Sequence, residues 1–189
     1  MPRPPILPPI DWKALFGRGK TFAAWLAAAE NDRHREEMAT TARDLPVAAR
    51  FLRFAEGIER PVHVVCFAED WCGDVVRHVP VLERLCAAQP QLQTRYLSRE
   101  DAPDTFARYL TNGGEAVPKF IFLSESFTEC ANWGPMPKRC RELIARGKSR
   151  GEVGHARKKV AALYEVDSSR EEVLRELLFC LDIAASTAL

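Results

Sequence analysis

The 189-residue chain sets 27 Lys plus Arg against 26 Asp plus Glu, a net charge of +1, so no global field draws it to nucleic acid or to a membrane surface. Apolar residues make up 47% of it, enough for a real core, and at roughly 150 residues per domain the length suits one domain with an extension. No apolar run approaches the roughly 20 residues that span a bilayer, and prolines interrupt Met1 to Ile10 where a secretory signal needs an unbroken apolar stretch; the expectation is a soluble, cytoplasmic protein.

Residues 1–10 read as an extended proline-rich arm, and 11–57 as a helical extension. Trp12, Leu15 and Phe16 begin one apolar face, and Phe22, Trp25, Leu26 and Ala29 continue at helical spacing. Pro46 is expected to open a short helix that Gly57 closes. The pattern changes at Pro61. Val62 to Phe67 is a short β-branched run with weak alternation, as in a strand buried on both faces. After Glu69-Asp70-Trp71-Cys72-Gly73-Asp74, the recurrence of Val75, Val79, Leu82 and Cys86 predicts a helix, which Pro80 should kink.

Leu92 to Leu97 reads as a second strand, Asp104 to Leu110 as a short helix and Asn112-Gly113-Gly114 as a turn. Lys119 to Leu123 and Phe127 to Trp133 read as two more strands, giving an α/β chain with a sheet of mixed direction. Pro137 should open a helix that stops at Gly147. Beyond it lies a basic loop, then a last helix starting near Ser168 or Ser169 with Glu171 or Glu172 completing a capping box. The expected organisation is therefore 1–57 as arm and helical extension, 58–147 as core, and 148–189 as basic loop and C-terminal helix. Residues 138–159 hold nine cations against two carboxylates, yet no aromatic residue interleaves, so a solvated helix end is favoured over a nucleic-acid site.

Six cysteines occur, at 66, 72, 86, 130, 140 and 180, and no two are separated by two residues, so zinc-knuckle and dithiol patterns are absent and neither metal nor cofactor is expected. Five read as buried thiols. Cys72 stands apart, because a helix N-terminus stabilises a thiolate through its free N–H groups and dipole, whereas Asp74 opposes a second negative charge beside it.

Trp71-Cys72-Gly73-Asp74 between a buried strand and a proline-containing helix resembles the active-site turn of the thioredoxin superfamily. Pro80 matches that family's helix proline, Val117-Pro118 its cis-proline before a strand, and Trp133-Gly134-Pro135 its glycine near the site; the resemblance spans roughly 58–147. Residues 69–74, 109–114 and 117–119 further resemble a bacterial group of thioredoxin family proteins whose members often lack the second active-site cysteine. The resemblance implies a thioredoxin-like fold with Cys72 as the catalytic thiol, Trp71, Gly73 and Asp74 as its turn, and Val117, Pro118, Trp133 and Gly134 along the substrate groove.

Two departures matter. Val75 occupies the resolving-cysteine position, and Cys66 the position of the family's buried acid. The function they imply is monothiol thiol–disulfide exchange with a protein or a low-molecular-weight thiol. The alternative is a non-catalytic module whose groove binds an extended peptide. The sequence leaves partner identity and oligomeric state open.

Overall fold

The computed structural model describes residues 7–186, so most of the expected proline-rich arm lies outside the described residues. A four-stranded sheet forms the centre, in the order β2-β1-β3-β4. Its strands are β1 (Val62–Phe67), β2 (Leu92–Leu97), β3 (Lys119–Leu123) and β4 (Glu129–Trp133). β1 and β2 run parallel, whereas β3 is antiparallel to both β1 and β4. The central strands β1 and β3 are buried almost throughout, which is why their sequences do not alternate. β4 starts two residues later than its apolar pattern predicts. Phe127 takes φ 61° and its N–H closes a turn onto the Ser124 carbonyl at 2.9 Å, so it belongs to the connection.

The helical extension comprises α1 (Trp12–Arg18), α2 (Phe22–Ala27), α3 (Asp32–Asp44) and α4 (Ala49–Glu56). The first three start on side-chain caps, with Asp11, Thr21 and Asn31 accepting from the N–H groups of Ala14, Ala24 and His34. Between α1 and α2, Lys20 pairs with Tyr96 through two main-chain hydrogen bonds of 3.0 and 2.8 Å, covering the open edge of β2.

The remaining helices are α5 (Gly73–Cys86), which runs through Pro80, α6 (Pro103–Phe106) with a 3₁₀ turn after it, α7 (Lys138–Arg150), α8 (Val153–Val166) and α9 (Glu171–Ser186). Side-chain alternation in β1 sorts the layers. His63 and Phe67 meet Phe16 of α1 and Phe106 of α6 on one face. Cys66 and its neighbour Phe120 lie on the other, where Trp133 contacts His78 of α5 and Glu176 of α9. Among the described residues no helix is long and apolar enough to cross a membrane.

The C-terminal third differs from expectation. In place of the loop expected after Gly147, α7 continues to Arg150 and a further helix, α8, follows at once. Gly151, at φ 71°, is the residue that ends α7. Gly147 lies inside the helix because α8 crosses it closely: a Cβ there would stand 2.6 Å from the Cβ of Ala156. The last helix begins at Glu171, with Asp167 accepting from the N–H groups of Glu171 and Glu172 at 2.9 and 3.3 Å, so the cap is Asp167 and neither serine.

Candidate functional site

Cys72 is the N-cap residue of α5, with extended φ/ψ, at the point where the chain leaves β1 and turns into the helix. Its turn is held from both sides. Asp70 accepts from the N–H groups of Glu30 and Asn31 at 2.6 and 3.2 Å, and its carbonyl lies 2.7 Å from His34 Nδ1, so the helical extension is tied directly to the turn. Glu69 accepts from the Arg99 main-chain N–H at 3.0 Å and pairs with its guanidinium. That guanidinium also bonds Glu115 at 2.9 Å and sits 5.6 Å from the ring of Trp71, a large apolar side chain left 58% exposed.

The Cys72 thiol is half-buried and donates to the Val117 carbonyl, with sulfur and oxygen 3.4 Å apart. The Val117–Pro118 bond is cis, as the resemblance implied, and so is Gly134–Pro135. Gly134, at φ 120°, packs so closely on Pro118 that a Cβ would lie 2.0 Å from the Pro118 carbonyl oxygen, and no other residue fits. Val75 is fully buried one turn into α5, and Cys66 is fully buried in β1.

Burial pushes the Cys72 thiol above its ordinary value, aided by the charges of Asp74 and Glu69. The N–H groups of Val75 and Asp74 pull the other way and lose. The helix-start argument for an acidified thiol is thus outweighed by desolvation. Tyr164 of α8 donates its hydroxyl to Asp74 Oδ1 at 2.9 Å and lies 3.1 Å from Nε2 of the fully buried His78. Burial, with Arg77 and Arg170 nearby, holds that imidazole well below its usual pKa, hence neutral. Arg77 lies over the Tyr164 ring at 4.1 Å and bonds the Tyr164 carbonyl at 2.7 Å, pinning α8 to the first turns of α5. Burial raises the Asp74 carboxyl, against the Tyr164 bond and the charge of Arg77.

The result is a cleft of about 530 Å³ beside the sulfur. Trp71, Cys72 and Asp74 form one wall, Ala116, Val117, Pro135 and Met136 lie along it, and Arg141, Ile144, Lys148, Arg157, Val160 and Tyr164 form the opposite wall. Of the sequence-predicted residues, Trp71, Cys72, Asp74 and Val117 line this space, while Gly73 starts the helix and Pro118 and Gly134 meet behind it. Trp133 is turned into the core, stacked on Phe120 at 5.4 Å with its indole N–H donated to Glu176. Trp133 and Gly134 border a second cavity of about 420 Å³, shared with Lys119 and Arg141. Lys119 is buried, donates to Thr111 Oγ1 and the Gly134 carbonyl at 2.9 and 3.0 Å, and is lowered to about 8 by burial and by Arg141.

Sequence reasoning predicted α7 as far as Gly147 but missed α8, and it assigned no side chain of either helix to the site. The signal was present, since Val153, Ala156, Val160 and Leu163 recur every three or four residues, but the cations between them masked it. Among the described residues no group of three or more His, Cys, Asp or Glu is placed to hold a metal ion.

A thioredoxin family model matches residues 19–150 of the chain. A 1.5 Å crystal structure of PA1234, a protein of unknown function from Pseudomonas aeruginosa, superposes with a TM-score of 0.72 at 18% identity over 92% of this chain and 98% of that one. An HIV epitope-scaffold of the 4E10 type superposes with a TM-score of 0.63 at 21% identity, over 82% of this chain and 98% of that one. At such identities the likeness is one of fold. No curated protein matches the sequence.

Proposed function

This chain belongs to the thioredoxin family, and from that premise we propose that it carries out monothiol thiol–disulfide exchange at Cys72. The observation that carries this reading is the placement of a half-buried sulfur at a helix start, facing a cleft, against the carbonyl that precedes a cis-proline. The Cys72 thiolate attacks one sulfur of a disulfide, forming a mixed disulfide at Cys72 and expelling the other half as a thiolate. The proton that Cys72 gives up passes to solvent. With valine at residue 75, no neighbouring thiol resolves the adduct. A second, external thiolate attacks instead, leaves as a new disulfide and returns Cys72 to its thiolate. The resemblance of residues 69–74 to bacterial relatives with one active-site cysteine supports the same chemistry, and a chain whose six cysteines form no disulfide suits a reducing, cytoplasmic setting.

A second reading, a binding module without chemistry, is favoured by the raised pKa of the Cys72 thiol. Incubation with neutral hydroxyethyl disulfide at pH 8, followed by peptide mass mapping, separates the two. Exchange requires an adduct on Cys72 that an added thiol releases. An unmodified Cys72, under conditions that label the unfolded chain, leaves only the binding module.

A further inference from the structure

We propose that the cleft beside Cys72 selects small anionic thiols and disulfides, with carboxylate-type groups held by Lys148, Arg157 and Arg141; this rests on the exchange reading above for its chemistry, but not for its binding.

The selectivity comes from the helical hairpin. Arg141, Ile144 and Lys148 stand three and four residues apart on α7, so they share one face, and Arg157, Val160, Ala161 and Tyr164 do the same on α8. Both faces turn into the cleft with apolar side chains at their middle; α7 has a cation at each end of its face, and α8 has Arg157 at one end and Tyr164 at the other. None of the three cations forms an ion pair among the described residues. Arg141 instead donates to the Met136 carbonyl at 2.6 Å, which fixes its guanidinium at the cleft wall.

The acids on the opposite side are already committed. Glu115 is paired with Arg99 at 2.9 Å, and Asp74 accepts the Tyr164 hydroxyl while burial raises its pKa. The cleft therefore presents cationic groups in excess and an apolar middle. That complements a ligand with an apolar thioalkyl body and one or more carboxylates.

Size follows from where the hairpin touches the core. At one end Tyr164 reaches Asp74, and at the other the ammonium of Lys148 lies so near the Thr111–Gly114 turn that a Cβ on Gly114 would stand 3.9 Å from it. The hairpin thus bridges the two borders of a groove that is otherwise open to an extended peptide. The enclosed volume, about 530 Å³, falls within the range of small-molecule sites, roughly 300–1,000 Å³.

Three disulfides of similar size test this: anionic dithiodiglycolate, neutral hydroxyethyl disulfide and cationic cystamine. The rate of adduct formation on Cys72 is followed by mass mapping at low and high salt, with the unfolded chain as reference. Relative to that reference, dithiodiglycolate should gain at least tenfold over cystamine. The preference should shrink at high salt and collapse in Lys148→Gln/Arg157→Gln, read as the ratio of the anionic to the neutral rate within the same variant. Equal relative rates for the anionic and cationic reagents, or a preference that survives the double substitution, overturn the proposal while leaving exchange standing. The binding arm uses Cys72→Ser and calorimetry with dithiodiglycolate. Saturable binding that Lys148→Gln/Arg157→Gln abolishes supports the anion site even where the wild type shows no exchange, and absence of binding in Cys72→Ser together with unselective exchange overturns it.

Discussion

Gly147→Ala is the sharpest probe of the hairpin that walls the cleft. A Cβ at residue 147 would meet the Ala156 Cβ at 2.6 Å and the Glu152 carbonyl oxygen at 3.2 Å. Both Cβ atoms are fixed to backbone, so neither swings away as a long side chain would. α7 and α8 must separate by about 1 Å to reach the ~3.5–4.0 Å of ordinary carbon contact, and forced overpacking of this kind costs about 1–3 kcal/mol. Against it stands the gain of about 1 kcal/mol from replacing glycine by alanine in a helix interior. Gly154→Ala, in α8, is the control, because its Cβ would meet nothing within 4 Å and carries the propensity term without the clash. Thermal unfolding should place Gly147→Ala below Gly154→Ala by about 1–3 kcal/mol, or several degrees in Tm at ~2–4 °C per kcal/mol for a chain of this size. The double variant Gly147→Ala/Ala156→Gly should recover most of the loss. Equal or greater stability for Gly147→Ala would mean that the two helices do not cross as described, and the cleft they enclose would lose its far wall.

The Cys72 thiol should alkylate with iodoacetamide more slowly at pH 7 than the same residue in the unfolded chain, with a midpoint above the free-thiol value of about 8.5. A midpoint below 8.5 in a Cys72 titration would show that the helix start outweighs burial after all; Cys86 and Cys130, also partly exposed, must be mapped separately. Val75→Cys should form a disulfide with Cys72 on air oxidation, since residue 75 lies one turn along α5 and valine and cysteine are close in size; a mass map lacking the linked peptide would refute the placement of the helix start. Lys119 is lowered from 10.5 to about 8, so the folded state holds its proton less tightly than the unfolded chain and gains stability as pH rises through that window. Relative to Lys119→Met, the wild type should gain about 3 kcal/mol between pH 8 and 10.5 in urea unfolding, and a pH-independent difference would remove the assignment.

What the sequence showed clearly was local. β1, the Cys72 turn and α5 follow one another with an unbroken apolar run, a helix start and a 3.6-residue period, so each is legible within a dozen residues. Gly147 misled for the opposite reason. Glycine after a helical stretch is a common stop, but here the residue is kept small by Ala156, nine positions on and on another helix, and only the packed structure shows that requirement. α8 was hidden in the same way, its few apolar positions diluted by Arg157, Lys158 and Lys159. Once it was missed, so were Tyr164 and the far wall of the cleft beside Cys72. The pKa expectation then followed the helix dipole, a local effect, while burial of the sulfur in the folded chain decides the direction.

A protonated thiol changes how this site must work. In β1 Cys66 stands where the family resemblance places an acid, and the half-buried Glu83 nearby is committed elsewhere: its Oε1 accepts from Thr94 and Tyr96 at 2.8 and 2.6 Å. Glu83 is thus already held by two donors. On the cleft side Asp74 is engaged by Tyr164. A site that neither acidifies its cysteine nor supplies a base cannot owe its rate to a large standing population of thiolate. On the proposed exchange reading, what remains is proximity: a disulfide held in the cleft would meet the small thiolate fraction repeatedly, and holding reactants in line is worth several kcal/mol where the geometry is right. On the same proposal the cations on α7 and α8 matter twice, because they would retain a disulfide with anionic arms and the thiolate it expels would leave into a field that stabilises negative charge. Binding and chemistry should therefore weaken together with charge removal at Lys148 and Arg157, whereas a thioredoxin-like site driven by an acidified cysteine would lose affinity alone.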